Sequence, residues 1–254
     1  MIYRTLGRTG LQVSVLGLGT VKLGRNQGVK YPAGFDLPDD RQAARLLDTA
    51  RELGINLLDT APAYGESERR LGELLGPHRQ SWILCTKVGE YFEQGSSRWD
   101  FTPEATRASV TASLQRLRTE YLDIVLIHSD GSDCEILESL GTLDALRALK
   151  GEGLIRAVGI SHKSVEGGDC AIKAGCDVIM ATLNLLETGQ LPVIARAATA
   201  GCGVLVKKAL ASGHAGGDSL RFAAATAGVS AVIVGTLSAG HLRENVTELD
   251  GLTV

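Results

Sequence analysis

Cysteine is scarce and scattered in this chain. Cys85, Cys134, Cys170, Cys176 and Cys202 are odd in number and form no CxxC pair. That spacing speaks against a zinc cluster, any other metal site or a disulfide scaffold, and for reduced thiols in the cytoplasm. No apolar run approaches the roughly 18 residues a membrane span needs. The opening Met1-Ile2-Tyr3-Arg4 carries no charged-then-apolar leader, so neither a secreted nor a membrane protein is expected. Neither sign of charge dominates: 26 Lys and Arg face 29 Asp and Glu, a net −3. No nucleic-acid partner is expected from such a balance. Linker-like and low-complexity stretches are also missing, so residues 1–254 read as a single domain.

What is present is alternation. Short runs rich in Val, Ile and Leu occupy residues 15–19, 55–59, 82–86, 124–128, 155–160, 178–182, 203–206 and 231–234. Such runs suit parallel strands buried on both faces. Between them lie helical patterns. Over 41–53, Ala44, Leu47, Ala50 and Leu53 recur at helical spacing. Thr102-Pro103-Glu104 reads as an N-cap, a proline at the first helical position and an acid in the first turn, opening a helix to about Arg118. Eight strands alternating with about eight helices predict a (β/α)8 TIM barrel, with a doubly wound open sheet as the competitor. Residues 3–13, with a Thr9-Gly10 turn, read as an N-terminal β-hairpin capping the barrel bottom.

In such a barrel, reactive groups gather at the carboxyl ends of the strands. The polar residues that interrupt the apolar runs lie there: Asp59, Lys87, His128, Ser161 with His162, Asn184, Lys207, and Gly235-Thr236-Leu237-Ser238. The second strand leads directly into Asp59-Thr60-Ala61-Pro62-Ala63-Tyr64-Gly65. A phenol of pKa about 10 needs a neighbouring cation to act as a general acid near neutrality. Lys87, on the next strand, is the natural candidate; an aspartate can hold it charged, and His128 can orient a carbonyl oxygen. Leu57 and Cys85 lie two residues before Asp59 and Lys87 and should share their interior face. Ser238 reads as the N-cap of the last helix, whose first amides could face a phosphate.

At these positions the sequence resembles the aldo-keto reductase superfamily over nearly its whole length. The anchors are Leu6-Gly7-Arg8-Thr9-Gly10, the 59–65 loop, Thr86-Lys87, Leu126-Ile127-His128, Val158-Gly159-Ile160-Ser161 and Val232-Ile233-Val234-Gly235-Thr236 with His241-Leu242-Arg243-Glu244-Asn245. The resemblance implies a catalytic tetrad of Asp59, Tyr64, Lys87 and His128. It implies an extended nicotinamide cofactor, NADPH by family default with NADH open, and reduction of an aldehyde or ketone with Tyr64 giving the proton. Cofactor contacts carried over are Gly19, Thr20, Asp59, Ser161, His162, Asn184, Lys207, Gly235, Thr236, Leu237, Ser238, His241, Glu244 and Asn245. The partner is a small carbonyl substrate.

Several positions depart from the family pattern. His162 replaces the usual Asn, Met180 the usual Gln, and Lys207-Lys208 the usual aromatic platform; no basic residue but Arg243 stands near the expected 2′-phosphate site. The chain reads as a short member without the family's C-terminal pocket loop. Tyr91, Phe92, Trp99 and Phe101, four of eleven aromatics, are expected to supply the pocket wall instead. The loop 21–37, with Tyr31 and Phe35, is expected to oppose them. Two other functions stay open: a cofactor-binding sensor with little turnover, and a dehydrogenase running toward alcohol or sugar oxidation.

Overall fold

The computed structural model describes residues 1–29 and 31–252. Its centre is a closed parallel barrel of eight strands: β3 (Leu16–Gly19), β4 (Leu57–Asp59), β5 (Ile83–Val88), β8 (Leu122–His128), β9 (Ile155–Ser161), β10 (Val178–Thr182), β11 (Gly203–Lys207) and β12 (Ala231–Val234), which pairs back to β3. The outer helices are α1 (Asp40–Glu52), α2 (Ser67–Leu75), α3 (Pro103–Arg116), α4 (Asp133–Glu138), α5 (Thr142–Gly151), α6 (Val165–Lys173), α7 (Leu191–Thr199), α8 (Gly217–Ala225) and α9 (Ala239–Glu248). None of them is long and apolar enough to cross a membrane.

The apolar runs explain the closure. In β8, Ile124 and Leu126 point into the barrel lumen while Val125 and Ile127 meet the helices, and all four are fully buried. Both faces of the strand are therefore apolar, as a parallel barrel requires. The lumen is filled by Leu57, Cys85, Ala157, Met180, Leu205 and Ile233 among others, so it is a packed core. Leu57 and Cys85 sit on the expected interior side, and burial drives the Cys85 thiol well above its usual pKa.

The hairpin is present as β1 (Tyr3–Thr5) paired with β2 (Gln12–Ser14), turning at Gly10 with φ 75°. It plugs the barrel bottom: Leu6 and Val13 are wholly buried in the lumen cluster. Helix α1 opens with a capping box, in which Asp39 Oδ1 accepts from Gln42 N (2.7 Å) and Gln42 Oε1 from Asp39 N (2.8 Å). Its buried stripe is Ala43, Leu46, Leu47 and Ala50, offset from the expected Ala44 and Leu53. Thr102 caps α3, which ends at Arg116 rather than Arg118.

Two features differ from expectation. The stretch after β5 forms an antiparallel hairpin, β6 (Glu90–Glu93) with β7 (Ser96–Trp99). Cys134 on α4 and Cys170 on α6 form a disulfide across 36 residues of sequence. The expectation of five reduced thiols is corrected for this pair, because helices that follow adjacent strands meet on the barrel wall. Cys85, Cys176 and Cys202 are free and buried.

Candidate active site

A cavity of about 950 Å³ opens at the carboxyl ends of the strands. Gly19, Asp59, Tyr64, His128, Ser161, His162, Lys207 and Gly235 all line it, one or two from the end of nearly every strand. The loop that follows β3 folds over one side, where Tyr31 and Phe35 meet edge-to-face with ring centres 5.7 Å apart. Lys22 Nζ lies 4.0 Å from the Tyr31 ring centre.

Lys87 is among the largest fully buried side chains of the protein. It is 1% exposed, and its Nζ donates to Asp59 Oδ1 (2.7 Å) and the Thr60 carbonyl (2.8 Å). Burial on its own would favour loss of the proton, but the charges around it, Asp59 foremost, push its pKa above the usual lysine value. The ammonium lies 4.8 Å from the Tyr64 ring centre. Tyr64 ends a single 3-10 turn, Pro62–Tyr64, braced from outside by the loop after β3. Gly65 (φ 59°) and Gly24 face each other there. A side chain on Gly65 would strike the Gly24 carbonyl, and one on Gly24 would strike Tyr64 O.

The phenol is subject to opposing effects. Burial raises the Tyr64 pKa to about 12; Lys87 pulls it down, and Asp59 pushes it up. Desolvation outweighs the neighbouring cation, so Tyr64 stays fully protonated near neutrality, as a proton donor must.

His128 stands beside Tyr64, ring centres 6.3 Å apart. Its Nδ1 is 2.7 Å from Glu90 Oε2, although the contact is too bent for a well-aligned hydrogen bond. Burial lowers the His128 pKa against the pull of Glu90. Lys207 does not stand free in the cavity. Its Nζ reaches across to Ser161 Oγ (2.7 Å) and the His162 carbonyl (2.9 Å), and burial together with Lys208 and Lys87 lowers its pKa to about 7.

Other expected residues lie elsewhere. Thr20 is fully buried and ties the end of β3 to β4 through Asp59 O (3.0 Å). Asn184 is spent on its own loop: its Oδ1 accepts from Leu186 N and Glu187 N, both at 2.9 Å. Thr236, Leu237, Ser238, His241, Glu244 and Asn245 follow Gly235 on the turn and first part of α9, beyond the cavity wall.

The pocket wall expected from Tyr91, Phe92, Trp99 and Phe101 is corrected, since none of the four lines this cavity. Tyr91 and Phe92 face a separate shallow recess against α3, and Arg25 stacks 3.4 Å over the Phe92 ring. Trp99 is exposed, and Phe101 packs under Gly89. Tyr91, Phe92 and Trp99 sit on the β6–β7 hairpin, and Phe101 follows it. Sequence reasoning missed Glu90 and Gln190. The only hint of Glu90 was a carboxylate three residues beyond Lys87, with no spacing that ties it to His128.

The chain belongs to the aldo/keto reductase family, whose model matches residues 15–217. A crystal structure described as a candidate aldo-keto reductase of Pseudomonas aeruginosa superposes with a TM-score of 0.90 at 50% identity, covering 97% of this chain and 93% of that one. L-galactose dehydrogenase of Arabidopsis thaliana is 39% identical over 62% of this chain and 47% of its own length. The NADH-specific methylglyoxal reductase of Escherichia coli is 34% identical over 72% of this chain and 59% of its own. The chain thus spans about half the length of the curated relatives it matches.

Proposed function

We propose that this protein is a nicotinamide-dependent carbonyl reductase with Tyr64 as its general acid. One observation carries this reading: a buried Lys87–Asp59 ion pair holds its ammonium 4.8 Å from the ring centre of the cavity-lining Tyr64 phenol, whose ring lies 6.3 Å from that of His128. A strand-end lysine with only a solvated role has no reason to bury its ammonium this way.

The cavity suits a dinucleotide. Its volume is ample, and Gly19 and Gly235 line one rim. Helix α9 carries no acid in its first turn to offset its positive end, and Ser238 Oγ takes only the His241 N–H there (3.2 Å). The remaining amides can receive a phosphate. Ser161 and the orphaned, buried Gln190 Oε1 offer polar partners to a carboxamide. When bound, the nicotinamide supplies the hydride to the carbonyl carbon.

The chain's own residues do the rest. Tyr64 donates its proton to the carbonyl oxygen as negative charge develops there. The phenolate left behind is stabilised by Lys87, and Asp59 keeps Lys87 charged and aimed. His128 orients the oxygen from the other side. NADPH and NADH both remain candidates, since among the described residues no arginine or lysine of α9 lines the cavity. The same groups run the reverse reaction, and the sugar dehydrogenase among the relatives supports alcohol oxidation as the second reading.

The test is an assay of small aldehydes, methylglyoxal included, with NADPH and with NADH, and of aldoses with the oxidised cofactors. Substrate-dependent turnover in either direction is expected. Cofactor binding by fluorescence without turnover on any substrate would replace this reading with that of a cofactor sensor.

A further inference from the structure

We infer that Glu90 is the positioning residue for His128: its carboxylate faces Nδ1, turns Nε2 to the cavity, and supplies the negative charge that favours a second proton on the ring. What Nε2 then does rests on the carbonyl-reductase reading above; the pairing itself does not.

The geometry is specific. Gly89 (φ 100°) turns the chain sharply after β5, and a side chain there would strike the Phe101 ring. The turn brings Glu90, the first residue of β6, back against the end of β8. Glu90 Oε2 lies 2.7 Å from His128 Nδ1, an atom without accessible surface or any other partner. Glu90 Oε1 accepts from Ser97 Oγ (2.6 Å) on the paired strand β7 and sits 3.9 Å from Arg25 Nη1. The carboxylate is therefore anchored through Oε1, with Oε2 set against the imidazole. Although burial would raise it, the His128, Ser97 and Arg25 contacts keep the Glu90 pKa down at about 2, so it is an anion at any working pH.

The consequence is a matter of donors and acceptors. A neutral imidazole with its proton on Nδ1, facing Glu90, presents a bare Nε2. A bare nitrogen repels a carbonyl oxygen, since both are acceptors. With a second proton, Nε2–H can donate to that oxygen. The charged groups facing His128 oppose one another. Lys87 from β5 and Lys207 from β11 disfavour the second proton, as does burial; Glu90 from β6 favours it. Tyr64, from the loop after β4, presents its ring edge-to-face and is neutral near pH 7. Glu90 is thus the anion that offsets two cations around this ring.

The experiment follows the histidine ring nitrogens by NMR across pH in the full chain, with His128 assigned through His128→Asn. In Glu90→Gln the His128 titration midpoint is expected to fall by about one pH unit or more. Glu90→Asp, which keeps the charge but retracts it, should shift the midpoint less. With a carbonyl substrate, the alkaline limb of kcat/KM should move down by the same amount. Above the midpoint, activity would then fall about tenfold with cofactor affinity unchanged. In the His128→Asn background, Glu90→Gln should have no further effect. An unmoved His128 midpoint in Glu90→Gln would overturn the assignment, as would equal activity losses with and without the imidazole. If the wild-type protein turns over no carbonyl, the reductase reading fails, yet the NMR titration still decides whether Glu90 governs His128.

Discussion

Lys87 Nζ and Asp59 Oδ1 lie 2.7 Å apart in a site where neither side chain is more than 6% exposed. This pair joins β5 to β4 across the barrel mouth and places a fixed positive charge beside Tyr64. A buried ion pair of this kind stabilises little over an apolar pair of equal volume, because desolvation offsets the attraction. Under the proposed function, its presence is explained by what the charge does to the phenol.

The pair makes a prediction about stability. Asp59→Leu leaves a buried ammonium with only the Thr60 carbonyl, and should cost about 3–5 kcal/mol in urea unfolding. Adding Lys87→Met should recover most of that loss while activity stays absent. A double variant no more stable than the single one would show that the pair is a structural support.

Lys207 makes a prediction about pH. Its folded-state pKa, about 7, lies below the unfolded value of 10.5, so the folded chain sheds this proton first. Stability from this group is lowest below pH 7 and rises as pH climbs from 7 toward 10.5. Lys207→Met removes the half-buried charge. Its melting temperature relative to wild type should therefore be more favourable at pH 6 than at pH 9. Equal differences at the two pH values would mean that Lys207 titrates normally.

The Cys134–Cys170 disulfide closes a loop of 36 residues between α4 and α6. Chain-entropy arguments give about 2–4 kcal/mol for such a closure, or about 5–15 °C in a chain of this length. Cys134→Ser with Cys170→Ser should melt lower by that order, and mass spectrometry of the wild type after thiol blocking should find three free thiols. Five free thiols and an unchanged melting temperature would contradict the crosslink.

The barrel was legible because a parallel strand buried on both faces writes a continuous apolar run; residues 178–182 and 231–234 match β10 and β12 in full. The meeting of Asp59, Tyr64, Lys87 and His128 at one end of the barrel was legible through the family resemblance and because Asp59 and Tyr64 lie five residues apart. What could not be read depends on contacts between segments far apart in sequence. The 90–99 hairpin is short and mostly polar, so the aromatics within it suggested a pocket wall, although none of them lines the cavity. Asn184 looked available for a ligand, yet its amide closes its own turn. Glu90 meets His128 only because Gly89 reverses the chain, and 36 residues hide the cysteine pair.

The most direct measurement is aldehyde-dependent oxidation of NADPH or NADH by Tyr64→Phe, beside a fluorescence titration of the same cofactor. A phenol that hands its proton to the carbonyl requires turnover to fall by several orders of magnitude while cofactor affinity stays within about twofold. Turnover near the wild-type rate in that variant would remove Tyr64 from the chemistry and leave the buried lysine without its proposed purpose.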